Sequence, residues 1–255
     1  MSKVKIKVIS IGRLPIDLNI KKIKSWKSSA FEIVGDIDNY ALHCDSDGPD
    51  WQFSDDLVRE QLPQNNQADF TMGIVNVPLE LNWYARRLGK NQAVFTFHQI
   101  KEILQSSNIP LENVVLRVLY AYTLLYKRAG NKIPDYGEVS GYTHDETRGC
   151  LFDMNGNKWD VVESCNNPII CDECQEKLKR EKVSNDVITR TQREIKAIRK
   201  ELYYRMVDFI KRHPLWALVI SSVFAILLGI IASFAYDWIK SYLPAAWLPF
   251  NTSVG

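Results

Sequence analysis

Four of the five cysteines of this chain lie in HDETRGCLFDMNGNKWDVVESCNNPIICDEC, residues 144–174, which opens on a histidine. Thiolate sulfur and imidazole nitrogen are the donors that a borderline-soft ion such as Zn²⁺ prefers. Cys171 and Cys174 have the C-x-x-C spacing of a zinc knuckle, Cys150 lies 21 residues before Cys171, and His144 six before that. H-x5-C-x20-C-x2-C can close one tetrahedral Cys₃His site, and a structural zinc there would staple a loop with little core of its own. Cys165 and Asp145 are alternatives to His144 as the fourth ligand. Reduced cysteines packed in a loop are the bland alternative. A thioredoxin-type redox pair is disfavoured, because no strand–helix pattern of that kind frames the motif.

Other chemistry-bearing groups are sparse. His43, Cys44, Asp45 and Asp47 in HCDSDG are metal-capable types, but the run reads better as an Asp/Gly turn and lacks the further ligands of an EF-hand loop. Arg86 and Arg87 beside Trp83 and Tyr84 could grip a phosphate or a partner, though a solvated helix end explains them as well. No P-loop, dinucleotide fingerprint or G-x-S-x-G is present.

Positioning such a site takes a core, and 255 residues at 46% hydrophobic and 24% charged suffice for one sizeable domain with appendages. VKIKVISIG (Val4–Gly12) alternates and predicts a strand. A helix is expected in PIDLNIKKIKSW, with short strands at FEIVGDI and YALHC. SDDLVREQL reads as a helix capped by Ser54. ADFTMGIVNVPL and QAVFTFHQI predict strands, and Thr96 with Gln99 a capping box for the helix through Leu104. IPLENVVLRVLYAYTLLYKRAG is the longest helix of this region, entered at Pro110 and ended near Gly130, with Val114, Val115, Val118, Leu119, Tyr122 and Leu125 on its apolar face. The expected fold class is α/β: a mixed sheet with packed helices over residues 1–180, then a long helical neck and one transmembrane helix.

The neck, residues 184–213, reads as one helix with Ile188, Ile195, Leu202 and Phe209 seven apart, which suggests a coiled coil or packing on the preceding domain. Residues 1–175 carry 19 Lys/Arg against 23 Asp/Glu, and residues 176–212 carry 12 against 6. The basic neck suits an anionic inner leaflet, whereas interleaved acidic residues argue against nucleic acid. Leu215–Tyr236 is uncharged for 22 residues, about 33 Å of helix, with aromatic residues at its ends. Lys211 and Arg212 at its entry place the N-terminal part in the cytoplasm, where thiols stay reduced. No signal peptide is visible, because MSKVKIKVIS lacks an apolar h-region. Ala217, Ser221, Ala225, Gly229 and Ser233 recur every fourth residue, a small-residue ridge suited to homo-oligomers. Residues 237–255 form a short tail whose Leu243, Trp247, Leu248 and Phe250 can rest in the far interface.

The layout resembles the archaemetzincin-type zinc peptidases. In that family an α/β domain carries a long helix with H-E-x-x-H-x-x-G, and cysteines ending in C-x-x-C hold a structural zinc. FTMGIVNVPLELNW with NQAVFTF is similar to the strands before the active-site helix, and ICDECQEKL to the closing motif. The resemblance covers roughly residues 1–180, with only its last part specific, and implies a metzincin-like fold. His144 stands where the third histidine would stand, Cys150 follows at the family's interval, and Asp145 occupies the first cysteine place. The departure lies in the helix. VLYAYTLLYK puts Tyr120, Ala121 and Leu124 at the positions of His, Glu and His. None can bind zinc and activate water in the usual way, which needs two imidazoles on one face and a carboxylate base, and His43, His98, His144 and His213 supply no i, i+4 pair. The resemblance therefore implies a non-peptidase relative that keeps the structural zinc, with His144 free to complete that site. The expected function is a tail-anchored membrane protein whose head binds a ligand or protein partner and signals to an oligomerising helix, as in a bacterial anti-phage effector. The alternatives are a membrane-bound zinc peptidase with an atypical site built on His43, His98 or His144, and a membrane adaptor.

Overall fold

The computed structural model describes residues 2–63, 67–135, 138 and 141–242. Its order is β1 (Val4–Ile11), α1 (Ile20–Lys24), β2 (Phe31–Ile33), β3 (Asp38–Tyr40), α2 (Asp55–Gln61), β4 (Phe70–Val75), β5 (Ala85–Gly89), β6 (Gln92–Thr96), α3 (Ile100–Ser106), α4 (Leu111–Arg128), α5 (Val161–Ser164), α6 (Asp172–Arg180), α7 (Asn185–Ile195), α8 (Leu202–Arg212) and α9 (Pro214–Tyr242). The fold is mixed α/β, as expected. Strands run β2-β1-β4-β6-β5, with β3 also pairing β1, and every pair is parallel except β5–β6.

Strand alternation splits the core in two. Ile6, Val8, Phe70, Met72, Ile74 and Phe95 point into the larger cluster with α4, while Ile9, Ile11, Val75 and Val94 join Val58 of α2 and Leu62 just after it on the opposite face. All residues of α4 from Leu111 to Tyr126 are buried, so this helix is the central rod of the domain. It starts after Pro110 and stops before Gly130, whose φ of 74° is the left-handed geometry that ends helices, as the sequence predicts. Ser54 caps α2 as expected, its hydroxyl accepting from the Leu57 amide at 3.2 Å.

Three expectations change. Arg86 and Arg87 lie in β5, an edge strand, and not at a helix end. Lys90 and Asn91 both take positive φ, 49° and 55°, closing the β5–β6 hairpin with a two-residue turn that lacks the usual Asn-Gly signature. The strand expected in YALHC forms earlier, at Asp38–Tyr40. No capping box forms before α3: Gln99 is its N-cap without a side-chain bond, while Thr96 Oγ1 accepts from the His98 amide and donates to the Val77 carbonyl.

The chain divides into two units at Glu201/Leu202, beyond the boundary expected at residue 180. The single helix expected over 184–213 is interrupted between Ile195 and Leu202. Ser184 caps its first part, and Val187, Ile188, Thr191, Ile195 and Ile198 are buried in the first unit's core. Residues at two coiled-coil positions, Ile188 and Ile195, are thereby occupied within this domain, which replaces the coiled coil for that half. In the second unit, Pro214–Ser241 is one helix long and apolar enough to cross a membrane. Ser221 and Ser233 return their hydroxyls to the carbonyls of Leu218 and Gly229, which leaves the ridge small and self-satisfied. Ala217 and Ser221 also line an apolar groove shared with Met206, Phe209 and Ile210 of α8. Leu243, Trp247, Leu248 and Phe250 lie outside the described residues.

Candidate metal centre

The segment after α4 sends Leu151, Phe152, Val161 and Ile170 into the main core, and backbone pairing shapes the turns between them. Gly149 takes φ 82°, where a side chain would be strained, and this turn presents Cys150 inward. The Leu151 amide donates to the Ile169 carbonyl at 2.7 Å and the Ile169 amide to the Gly149 carbonyl at 3.0 Å. The His144 amide donates to the Phe152 carbonyl and the Met154 amide to the His144 carbonyl, at 3.2 and 2.9 Å. These bridges bring three separate stretches to one point. Cys171 is the N-cap of α6 and Cys174 lies in its first turn, so the knuckle is the start of a helix anchored by buried Leu178.

The result is a compact donor set. One ligand atom from each of His144, Cys150, Cys171 and Cys174 lies within 4.8 Å of the others. Cys150 Sγ and Cys174 Sγ are 3.9 Å apart, and Cys171 Sγ is 3.5 Å from His144 Nε2. A regular tetrahedron with Zn–S of about 2.3 Å and Zn–N of about 2.05 Å has edges of about 3.8 Å (S···S) and 3.6 Å (S···N). The two distances match those edges and exclude a disulfide, which needs about 2.05 Å. His144 Nδ1 is buried with no hydrogen-bond partner, and the Glu146 carboxylate sits 3.5 Å from it. A carboxylate behind the non-ligating nitrogen is the usual support of a metal-bound imidazole.

The charges favour a cation. A hydrogen bond from Cys174 lowers the Cys150 thiol, the same bond holds the proton on Cys174, and burial raises Cys171. Three thiols this close cannot all ionise unaided, whereas a divalent ion would let each become a thiolate. This His/Cys₃ group can therefore hold a metal ion.

The alternative fourth ligands are not drawn in. Asp145 is exposed and outside the cluster. Cys165 is sealed in the core, its carbonyl accepts from Asn113 Nδ2 at 3.0 Å, and burial pushes its thiol up to about 12. Among the described residues, His43, His98 and His213 join no group of three metal donors. Asp47 works as a turn residue, accepting from the Ser54 amide and hydroxyl at 2.8 and 2.5 Å. Arg86 is held by Asp55 and Glu80.

On α4, the three positions where a hydrolytic zinc site would need His, Glu and His are built into the core. Tyr120 donates to Glu194 Oε2 at 2.6 Å and accepts from Trp26 Nε1 at 3.0 Å. Leu124 is fully buried, and Ala121 borders a small cleft. Two residues escape sequence reading here. Glu194 of α7 clamps Tyr120, Ser28 and Ser29, and Arg117 lies at the floor of that cleft. A lone arginine inside the apolar run VVLRVLYAY was the available signal for the second.

Fold and site together define a mixed α/β protein with a four-donor metal-binding group and one C-terminal helix able to span a bilayer. The sequence matches no protein family and no curated protein. Among solved structures the chain is similar to the crystal structure of archaemetzincin from Methanopyrus kandleri, at 17% identity and a TM-score of 0.44, covering 70% of this chain and 95% of that one. At that level the likeness bears on neither activity nor ligands.

Proposed function

We propose that this protein is a membrane-anchored, non-catalytic sensor. His144, Cys150, Cys171 and Cys174 hold a structural zinc that staples residues 144–180 to the α/β head. The head faces the cytoplasm, binds a small ligand or protein partner, and passes the event to a membrane helix that self-associates. An effector of bacterial defence against phage is a setting that such a design would serve. The reading is supported by one observation: His144, Cys150, Cys171 and Cys174 each offer a ligand atom within 4.8 Å of the others, while the central helix offers Tyr120, Ala121 and Leu124 where hydrolysis would need two imidazoles and a carboxylate. A closed site has no position for an activated water.

The test is a peptide-hydrolysis assay on the zinc-replete full chain in detergent. No turnover is expected. Turnover abolished by chelator and by His144→Ala would establish the rival reading, a membrane-bound peptidase with an atypical site.

A further inference from the structure

Arg117, in the middle of α4, is 2% exposed. A guanidinium stays protonated in proteins, so its charge must be compensated where it is buried. Its partners are neutral: Nη1 donates to the Tyr84 hydroxyl at 2.6 Å and Nη2 to the Asp153 carbonyl at 2.8 Å, while the Tyr84 ring lies 5.4 Å from Cζ. Nε is buried with no partner. Among the described residues no carboxylate lies within 4 Å of this guanidinium.

The surroundings are equally unfinished. Asp153 Oδ2 and Asn155 Oδ1 are buried without partners. Arg117 and Asp153 line one cleft of about 130 Å³ between β5, α4 and the segment leading to the metal cluster, with Trp83, Tyr122, Tyr142 and Phe152 in its walls. The two other arginines of its rim are engaged elsewhere: Arg86 by Asp55 and Glu80, Arg87 by the carbonyls of Pro134 and Asp135.

We propose that this cleft binds a small carboxylate, whose two oxygens take the free Nε–H and the remaining Nη–H of Arg117 side-on and whose short apolar body rests on Tyr122, Tyr142 and Phe152. Side-on pairing is the geometry in which a guanidinium holds a carboxylate by two parallel bonds. The volume is below the roughly 300 Å³ of a drug-sized pocket, which fits a ligand of a few heavy atoms. The proposal gives a ligand class to the sensor reading and rests on its non-catalytic cleft.

The test uses the full zinc-loaded chain in detergent, with calorimetric titration of propionate, propionamide and inorganic phosphate, and with zinc content measured on every sample. Propionate is expected to bind at least tenfold more tightly than the uncharged amide. Arg117→Lys, which loses the planar fork, is expected to weaken propionate at least tenfold at unchanged zinc content. Ala121→Phe, which fills the cleft and leaves Arg117 in place, is expected to block it. Equal affinity for propionate and propionamide, preference for phosphate, no heat with propionate at tens of millimolar, or full binding by Arg117→Lys would each overturn the assignment. Hydrolytic turnover in the separate assay would strike the sensor reading alone.

Discussion

The metal loop and the central helix are shaped by different means. Between His144 and Cys174 the chain buries Leu151, Phe152, Val161 and Ile170 in the main core, and a few backbone bridges set four donors that converge within 4.8 Å. Along α4, sixteen consecutive buried residues fix the helix through packing, and Arg117 Nε is a buried polar atom left there without a partner. We therefore expect the loop to depend on an ion and the helix to be indifferent to one. A helix that needs its Tyr120, Ala121 and Leu124 side chains as core has none to spare for coordination.

The largest break in this contrast should come from Cys171→Ser with Cys174→Ser. Structural zinc in small sites is worth about 10–16 kcal/mol of binding free energy, expressed as folding. Thermal melting and limited proteolysis should show residues 144–180 unfolded in the double variant and zinc content near zero. An unchanged melt would mean that the loop does not need its ion.

A smaller effect is expected at the clamp between α4 and α7. Burial raises the Glu194 carboxyl, but hydrogen bonds from Ser29, Tyr120 and Ser28 outweigh it and hold it below the ordinary glutamate range. A depressed folded value contributes stability in full above the unfolded value of about 4.3, and that contribution is lost as pH falls through the folded value. Glu194→Gln should lower Tm at pH 7 and flatten its acid-side decline, whereas Tyr120→Phe should cost about 1–3 kcal/mol and keep zinc content. A Tyr120→Phe variant that lost zinc would tie the helix to the metal and erase the contrast.

The smallest effect is expected in the second unit. Ala225→Leu, Gly229→Leu and Ser233→Leu together should weaken span-dependent association severalfold by resonance energy transfer in vesicles, without moving the melt of the α/β unit. Ala217 and Ser221 are poorer targets, because they already line the groove shared with α8. Association unchanged by the triple variant would remove the oligomerising role.

Much of this architecture was legible in the residues themselves. Alternation gave β1 and an apolar run β4, Pro110 and Gly130 bracketed α4, and donor type with spacing named the four residues that lie together as a possible metal site. Three failures have physical causes. The β5–β6 hairpin turns on Lys90-Asn91, two residues not usually found at positive φ together. The heptads around Ile188 and Ile195 carry the same pattern whether a helix packs on a twin or on its own domain, and here the domain takes them. Arg117 drew no reading from the sequence, and only the folded neighbourhood of Tyr84 and Asp153 shows that its hydrogen-bond partners are neutral.

The central claim is that the metal-binding group is a closed structural site. X-ray absorption at the zinc edge of the purified full chain measures this directly. The account predicts one zinc per chain with three sulfur ligands and one imidazole nitrogen, unchanged by added substrate peptides. A light-atom ligand in place of a sulfur, an exchangeable water on the metal, or a second zinc bound outside the cysteine cluster would contradict it.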